Sequence, residues 1–160
     1  SSKDDVKKAV SATRYPPIGN RGVGLDRAQG YGTKFNEYLD WQKEGPVVIA
    51  QIENIKAIGN LQEIFSEKGL DGFLIGPYDL SCSMGIPGDF KNPKFIDVVN
   101  YILDEGKKSG LAIGTHIVEP DLKLLTESIK KGYSLIAYSV DIRMLSTSAS
   151  EARKHINSNK

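Results

Sequence analysis

A single cysteine, Cys82, stands in 160 residues, so no internal disulfide is possible, which fits a reducing compartment. An excess of one charge is also missing. Lys and Arg number 21 against 20 Asp and Glu, a formal net of +1, with no basic stripe or block of like charges. Nucleic acid and anionic membrane are therefore poor partners, and a small molecule is the expected one. No run approaches the ~20 apolar residues that a transmembrane helix needs. Ser1-Ser2-Lys3-Asp4-Asp5 lacks the apolar centre of a signal peptide. The reading is a soluble cytoplasmic protein. Internal repeats, low-complexity tracts and linkers are absent too, so residues 1–160 read as a single domain, and 39% hydrophobic residues suffice for its core.

What is present is an alternation of short apolar runs with stretches of helical period. Val6, Ala9, Val10 and Ala12 form one stripe that Pro16-Pro17 ends, so the chain opens on a helix. Residues 21–25 are glycine-flanked and predict a strand leading into a glycine-punctuated loop; the spacing fits neither a dinucleotide fingerprint nor a Walker loop. Phe35, Tyr38, Leu39 and Trp41 predict an aromatic helix face packed on the sheet. Residues 47–52 and 73–75 predict buried strands joined by one amphipathic helix over residues 54–68. Then follow a glycine- and proline-rich loop over residues 81–93, a helix over 95–108 and a strand over 111–118. A helix over 121–131 with Leu122, Leu125 and Ile129 inward, a strand over 134–140 and a terminal helix complete the order. Five strands alternating with crossover helices require a parallel α/β sheet, with its sites at the strands' carboxyl ends.

Two acids reach that end on neighbouring runs. Glu53 closes Gln51-Ile52-Glu53, and Asp79 enters a turn in Gly76-Pro77-Tyr78-Asp79-Leu80-Ser81. Side by side, they make an oxygen site for a hard divalent cation. Each also precedes a helix or loop, so helix N-capping is the competing role. His116, near a strand end on the same side, is a candidate substrate contact or pocket wall, while His155, among Arg153 and Lys154, reads as solvated. Arg21 and Arg27 are candidates for an anionic substrate tail or for pairing with nearby acids. Cys82 has no histidine placed to activate it and reads as loop packing.

The chain resembles the HpcH/HpaI aldolase family, the metal-dependent pyruvate aldolases that act on compounds such as 2,4-dihydroxyhept-2-enedioate and 2-keto-3-deoxy sugar acids. The resemblance is carried by Arg14-Tyr15-Pro16-Pro17, Arg21-Gly22-Val23-Gly24, Gln51-Ile52-Glu53, Asp71-Gly72, Gly76-Pro77-Tyr78-Asp79-Leu80-Ser81 and Met84-Gly85. It implies a TIM-type (β/α)8 barrel in which Glu53 and Asp79 bind magnesium or manganese, with cobalt a further option. Gln51 and the backbone of Gly76-Pro77-Tyr78-Asp79 would hold the carboxylate and keto group of pyruvate. The implied reaction is retro-aldol cleavage of a 4-hydroxy-2-oxo acid to pyruvate and an aldehyde, with the cation polarising the keto oxygen.

In that family the stretch is the carboxyl-terminal part, preceded by about three further β/α units of the eight that carry a catalytic histidine and a transition-state arginine. Neither has a counterpart here, so no catalytic residue is expected within these residues and little turnover from them alone. A complete barrel takes ~250 residues; five strands form a partial barrel that does not close as a monomer. The open edge and apolar helix faces then call for association, as a homo-oligomer or with the missing amino-terminal part. Two other readings stand beside the aldolase. One is a non-catalytic assembly or binding module derived from the fold. The other is a citrate-lyase or malyl-CoA-type lyase, for which no basic cluster suited to a CoA phosphate tail is present.

Overall fold

In the computed structural model, which describes residues 1–43 and 45–159, the chain begins with helix α1 (Lys3–Thr13). Ser2 caps it, accepting from the Asp5 N–H while the Asp5 carboxylate accepts from the Ser2 N–H, so two orphan donors of the first turn are satisfied at once. Residues 21–25 form no strand, contrary to the sequence expectation. Their backbone groups are already engaged: the Arg21 N–H donates to the Arg14 carbonyl at 2.9 Å. The Val23 carbonyl accepts from the Tyr15 hydroxyl at 3.1 Å and the Gln29 amide at 3.2 Å. A 3-10 segment, Arg27–Gly32, follows under an Asp26 cap.

Helix α2 (Phe35–Gln42) carries the aromatic face. That face packs on the 3-10 segment and Tyr15 instead of settling on the sheet: Tyr38 meets Tyr15 edge-on with centroids 6.3 Å apart, and Trp41 stays 51% exposed.

Among the described residues the sheet has four strands, not five: β1 (Ile49–Ile52), β2 (Gly72–Ile75), β3 (Ala112–Ile117) and β4 (Leu135–Tyr138), all parallel and in the order β1-β2-β3-β4. β1 and β4 are both free edges, so the sheet is an open section of a barrel. Between β1 and β2 the expected single helix is two, α3 (Ile55–Ile58) and α4 (Leu61–Phe65). The break falls at Gly59 and Asn60, a poor helix former followed by a side chain that bonds back to the Lys56 carbonyl at 3.3 Å. Helix α5 (Pro77–Ser83) occupies the first part of the expected loop, started by proline at its first position. Helices α6 (Pro93–Ser109), α7 (Leu122–Lys131) and α8 (Asp141–Ser158) complete the order.

Register assigns the two faces of the sheet. Ala50, Ile52, Phe73, Ile75, Ile113 and Ile117 point to the helix side, where the buried core lies with Leu61, Ile64, Phe65, Ile102 and Leu103. Phe73 is fully buried and stacks on Phe65 with centroids 4.4 Å apart. Helix α6 reaches this pair only because residue 106 is glycine: a Cβ there would lie 2.5 Å from Phe73 Cζ. The opposite face presents Ile49, Gln51, Leu74, Gly114, His116 and Ala137, and among the described residues none of these belongs to the buried core. The apolar stripe of α7 outruns the surface that four strands offer. Leu122 and Ile129, expected inward, are 71% and 59% exposed.

Candidate functional site

The register places both acids at one end of the sheet. Ile52 pairs with Ile75, and the Gly76 N–H donates to the Ile52 carbonyl at 3.1 Å, so Glu53 follows directly beyond β1 beside Gly76 beyond β2. Asp79 is then the third residue of α5 rather than part of an irregular turn. A further bond fastens the two exits together, the Ile55 N–H donating to Ser83 Oγ at 2.9 Å. Ile55 stands two residues past Glu53, and Ser83 one helical turn past Asp79.

Neither acid is a helix cap. Asn54 caps α3, accepting from the Lys56 N–H at 3.0 Å, and Gly76 occupies the cap position of α5. Among the described residues neither carboxylate accepts a hydrogen bond from a protein group. Gly76 is a point of close approach: a Cβ there would lie 3.0 Å from Glu53 Cβ and 3.1 Å from both Glu53 Oε2 and Gln51 Nε2. The absence of a side chain at 76 therefore leaves the Gln51 amide and the Glu53 carboxylate against bare backbone. Gln51 and Glu53 also line a cleft of about 400 Å³ that opens at the β1 edge beside α1.

On the same face, register brings His116 of β3 level with Gly76, beside Ala137 of β4. Glu53, Gly76 and His116 thus occupy one row across the strand ends, with His116 two strands from Glu53. Pro77 and Tyr78 begin α5 at this rim. The N–H groups of Tyr78 and Asp79 fall within the first helical turn, before the first intrahelical bond, Leu80 N–H to the Gly76 carbonyl at 2.9 Å, so the helix itself leaves them unpaired. The Tyr78 ring is half exposed and meets Phe90 edge-on at 4.9 Å.

Carboxylate oxygens are ligands of the kind a hard cation takes. Both acids offer carboxylate oxygens, and no group of three or more His, Cys, Asp and Glu that could hold a metal occurs among the described residues.

The other sequence candidates lie elsewhere. Arg21 is held between the Tyr15 and Tyr38 rings, its guanidinium 5.4 Å and 5.7 Å from their centroids, and donates to the Tyr38 hydroxyl at 2.9 Å. Its role is to clasp the amino-terminal segment. Arg27 is exposed on the 3-10 segment. Cys82 is an exposed free thiol on α5, not a loop-packing residue, and His155 is exposed on α8.

One pair at the rim was not singled out from the sequence. Glu119, two residues beyond β3, receives Arg143 Nε at 3.1 Å and Nη2 at 2.6 Å from the first turn of α8. The hydrogen bond to Glu119 holds the Arg143 pKa up, and the nearby Tyr78 hydroxyl adds to the effect. Distance from the strand ends, two residues after β3 and five after β4, is the signal that marks them.

The sequence profile of the family HpcH/HpaI aldolase/citrate lyase matches residues 1–148. Over 145 residues the chain is 34% identical to a 2-keto-3-deoxy-L-rhamnonate aldolase of Escherichia coli O157:H7, an alignment covering 89% of this chain and 53% of that protein. Its fold superposes on an HpcH/HpaI aldolase/citrate lyase family protein from Burkholderia cenocepacia J2315 with a TM-score of 0.90 and 30% identity, over 98% of this chain and 62% of that one. An HpcH/HpaI aldolase from Desulfitobacterium hafniense DCB-2 superposes with a TM-score of 0.84 and 25% identity, over 97% and 60%. The chain thus spans about half the length of the curated relatives it matches.

Proposed function

The chain belongs to the HpcH/HpaI aldolase/citrate lyase family, and from that premise we propose that it is the metal- and pyruvate-binding part of a class II pyruvate aldolase, a carbon–carbon lyase. The observation that carries the reading is the pair of strand exits at β1 and β2. Two carboxylates without protein partners among the described residues stand on neighbouring parallel strands, stitched together by Ile55 and Ser83.

In this reading Glu53 and Asp79 hold a Mg²⁺ or Mn²⁺ ion, Co²⁺ being an alternative. When bound, the ion supplies Lewis acidity to the 2-oxo oxygen of the substrate. The Gln51 amide and the Tyr78 and Asp79 N–H groups hold the 2-oxo acid carboxylate, and bare Gly76 lets it lie against the backbone. His116 forms the wall on the next strand. These contacts orient the C3–C4 bond of a 4-hydroxy-2-oxo acid. Cleavage removes the proton of the 4-hydroxyl, releases the aldehyde from C4 and leaves the electron pair on the pyruvate fragment, which is then protonated at C3. In this reading the base is none of the residues described at this rim. The proton therefore goes to a group supplied from outside these residues, by further amino-terminal strands or by association, and the chain alone turns over little or not at all. A reducing compartment, and hence a cytoplasmic location, suits the exposed free thiol of Cys82.

The name of the Escherichia coli relative points to a 2-keto-3-deoxy sugar acid as the substrate class. The test is Mn²⁺-dependent cleavage of such an acid by the chain, alone and mixed with a polypeptide supplying the amino-terminal part of the barrel. Activity is expected in the mixture and is abolished by Glu53→Ala. Cleavage that proceeds equally well with Glu53→Ala refutes the assignment.

The exposed apolar stripes of α7 and α8 favour a second reading, an assembly module that keeps the fold's contacts. Sedimentation separates them: a monomer without affinity for Mn²⁺ and pyruvate fits neither.

A further inference from the structure

Glu119 and Arg143 lie at the same end of the sheet as Glu53 and Asp79, on the exits of β3 and β4. Two strand spacings of ~4.8 Å put the β4 exit roughly 10 Å from that of β2. That is the territory of a substrate's far end, not of its keto group. The position is built rather than incidental. Ser139 leaves β4 at φ 58, a left-handed conformation that a non-glycine residue adopts at a cost. Its N–H donates to the Ile117 carbonyl at 2.6 Å, and its hydroxyl donates to the Val118 carbonyl at 2.9 Å. This buried clamp joins the two exits and starts α8 so that Arg143 faces Glu119. Among the described residues Arg143 Nη1 has no hydrogen-bond partner, since Nε and Nη2 serve Glu119.

Resting on the pyruvate site proposed above, we infer that the Glu119–Arg143 pair reads the distal tail of the substrate and selects one bearing hydroxyl groups over one bearing an alkyl chain or a carboxylate. The chemistry follows from the pair being neutral as a whole. A hydroxyl accepts from Nη1 and donates to a Glu119 oxygen in one contact. A tail carboxylate is drawn by Arg143 but repelled by Glu119. An alkyl tail strips water from both charged groups and returns no hydrogen bond.

The experiment is calorimetric binding in Mn²⁺ of four probes to the wild-type chain, Arg143→Met and Glu119→Gln. The probes are pyruvate, a 2-oxo-3-deoxy acid with hydroxyls on its terminal carbons, its alkyl-tailed counterpart and a tail-carboxylate counterpart. Wild type binds the hydroxylated acid about tenfold more tightly than pyruvate, the worth of roughly one hydrogen bond to a charged group. Both variants lose that advantage while pyruvate binding is unchanged, which also shows that they fold. Three results overturn the inference while leaving the pyruvate site standing: no wild-type preference for the hydroxylated acid, tighter binding of the carboxylate- or alkyl-tailed acid, or a preference that survives both substitutions. Loss of pyruvate binding in both variants overturns it as well, by making the pair structural. If wild type binds no 2-oxo acid in Mn²⁺, the pyruvate site itself falls, and the inference with it.

Discussion

Gly76→Ala separates a glycine kept for the site from one kept for the fold. The backbone at Gly76, φ −91 and ψ 92, is open to alanine, so the substitution brings no backbone strain. Replacing glycine stiffens the unfolded chain and stabilises by ~0.4–1 kcal/mol. Against this, the new methyl lies 3.0–3.1 Å from the Glu53 and Gln51 side chains, which must shift by a few tenths of an ångström at a cost of ~1 kcal/mol. The two effects nearly cancel, and the melting temperature should move by no more than about 3 °C. Ligand affinity has no such compensation, because the atoms displaced are Glu53 Oε2 and Gln51 Nε2. We expect binding of the Mn²⁺–pyruvate pair to weaken at least tenfold.

The assay is thermal denaturation followed by circular dichroism, with and without Mn²⁺ and pyruvate. A ligand at a hundred times its wild-type Kd stabilises by ~2.7 kcal/mol, and one bound tenfold more weakly by ~1.4 kcal/mol. The ligand-induced rise in melting temperature should therefore be about 3–5 °C smaller in the variant. An equal rise in both proteins refutes the placement of Glu53 and Gln51 at the binding surface. A collapse of the unliganded variant refutes the claim that the fold does not need this glycine.

Phe73→Ala removes a fully buried ring stacked on Phe65 and should cost ~3–5 kcal/mol in urea-unfolding free energy. Gly106→Ala drives a methyl to 2.5 Å from the same ring. It should cost ~1–3 kcal/mol, less when Phe73 is first shortened to leucine. The hydrogen bond from Lys108 to Glu105, with a further one from Gln62, holds the Glu105 pKa below its ordinary value. A carboxylate with a depressed folded pKa stabilises fully above its unfolded pKa, and the gain disappears as pH falls through the folded one. Urea midpoints should therefore drop as pH is lowered below the usual carboxylate range, and Glu105→Gln should flatten that part of the profile.

Where burial dictates a period, the sequence announced the element. Phe73 to Ile75 became a strand as a continuous apolar run and Ile49 to Ile52 as an apolar run broken only by Gln51, and the long helix α6 kept its inward stripe through Ile102 and Leu103. Legibility failed where side chains compete for backbone groups. Tyr15 and Gln29 take the Val23 carbonyl that a strand at residues 21–25 would pair, and Asn60 breaks a helix whose apolar spacing runs on unchanged. It failed again where the apolar pattern implies a neighbour: Leu122 and Ile129 have helical spacing, but spacing does not say what lies opposite. At the site, Glu53 and Asp79 were visible as acids following strands. The Glu119–Arg143 pair was not, because it depends on the left-handed turn at Ser139, a conformation that serine seldom adopts.

The position of the core explains how a partial barrel can keep an ordered rim. The buried side chains lie between sheet and helices, whereas the opposite face, with Gln51 and His116, contributes almost none of them. Strand register is therefore set by Ile52, Ile75, Ile113 and Ile117 packing outward against helices, and it does not require the remaining strands to close the circle. Binding and turnover then place different demands on the structure. In the function proposed above, binding of a cation and a 2-oxo acid would use groups on two neighbouring strands and α5, and so would belong to this unit. In the same proposal turnover would need a base from beyond these residues, and so would depend on what covers that face. A chain that binds Mn²⁺ and pyruvate without cleaving substrate, and gains cleavage when that face is covered, is the behaviour this division of labour requires.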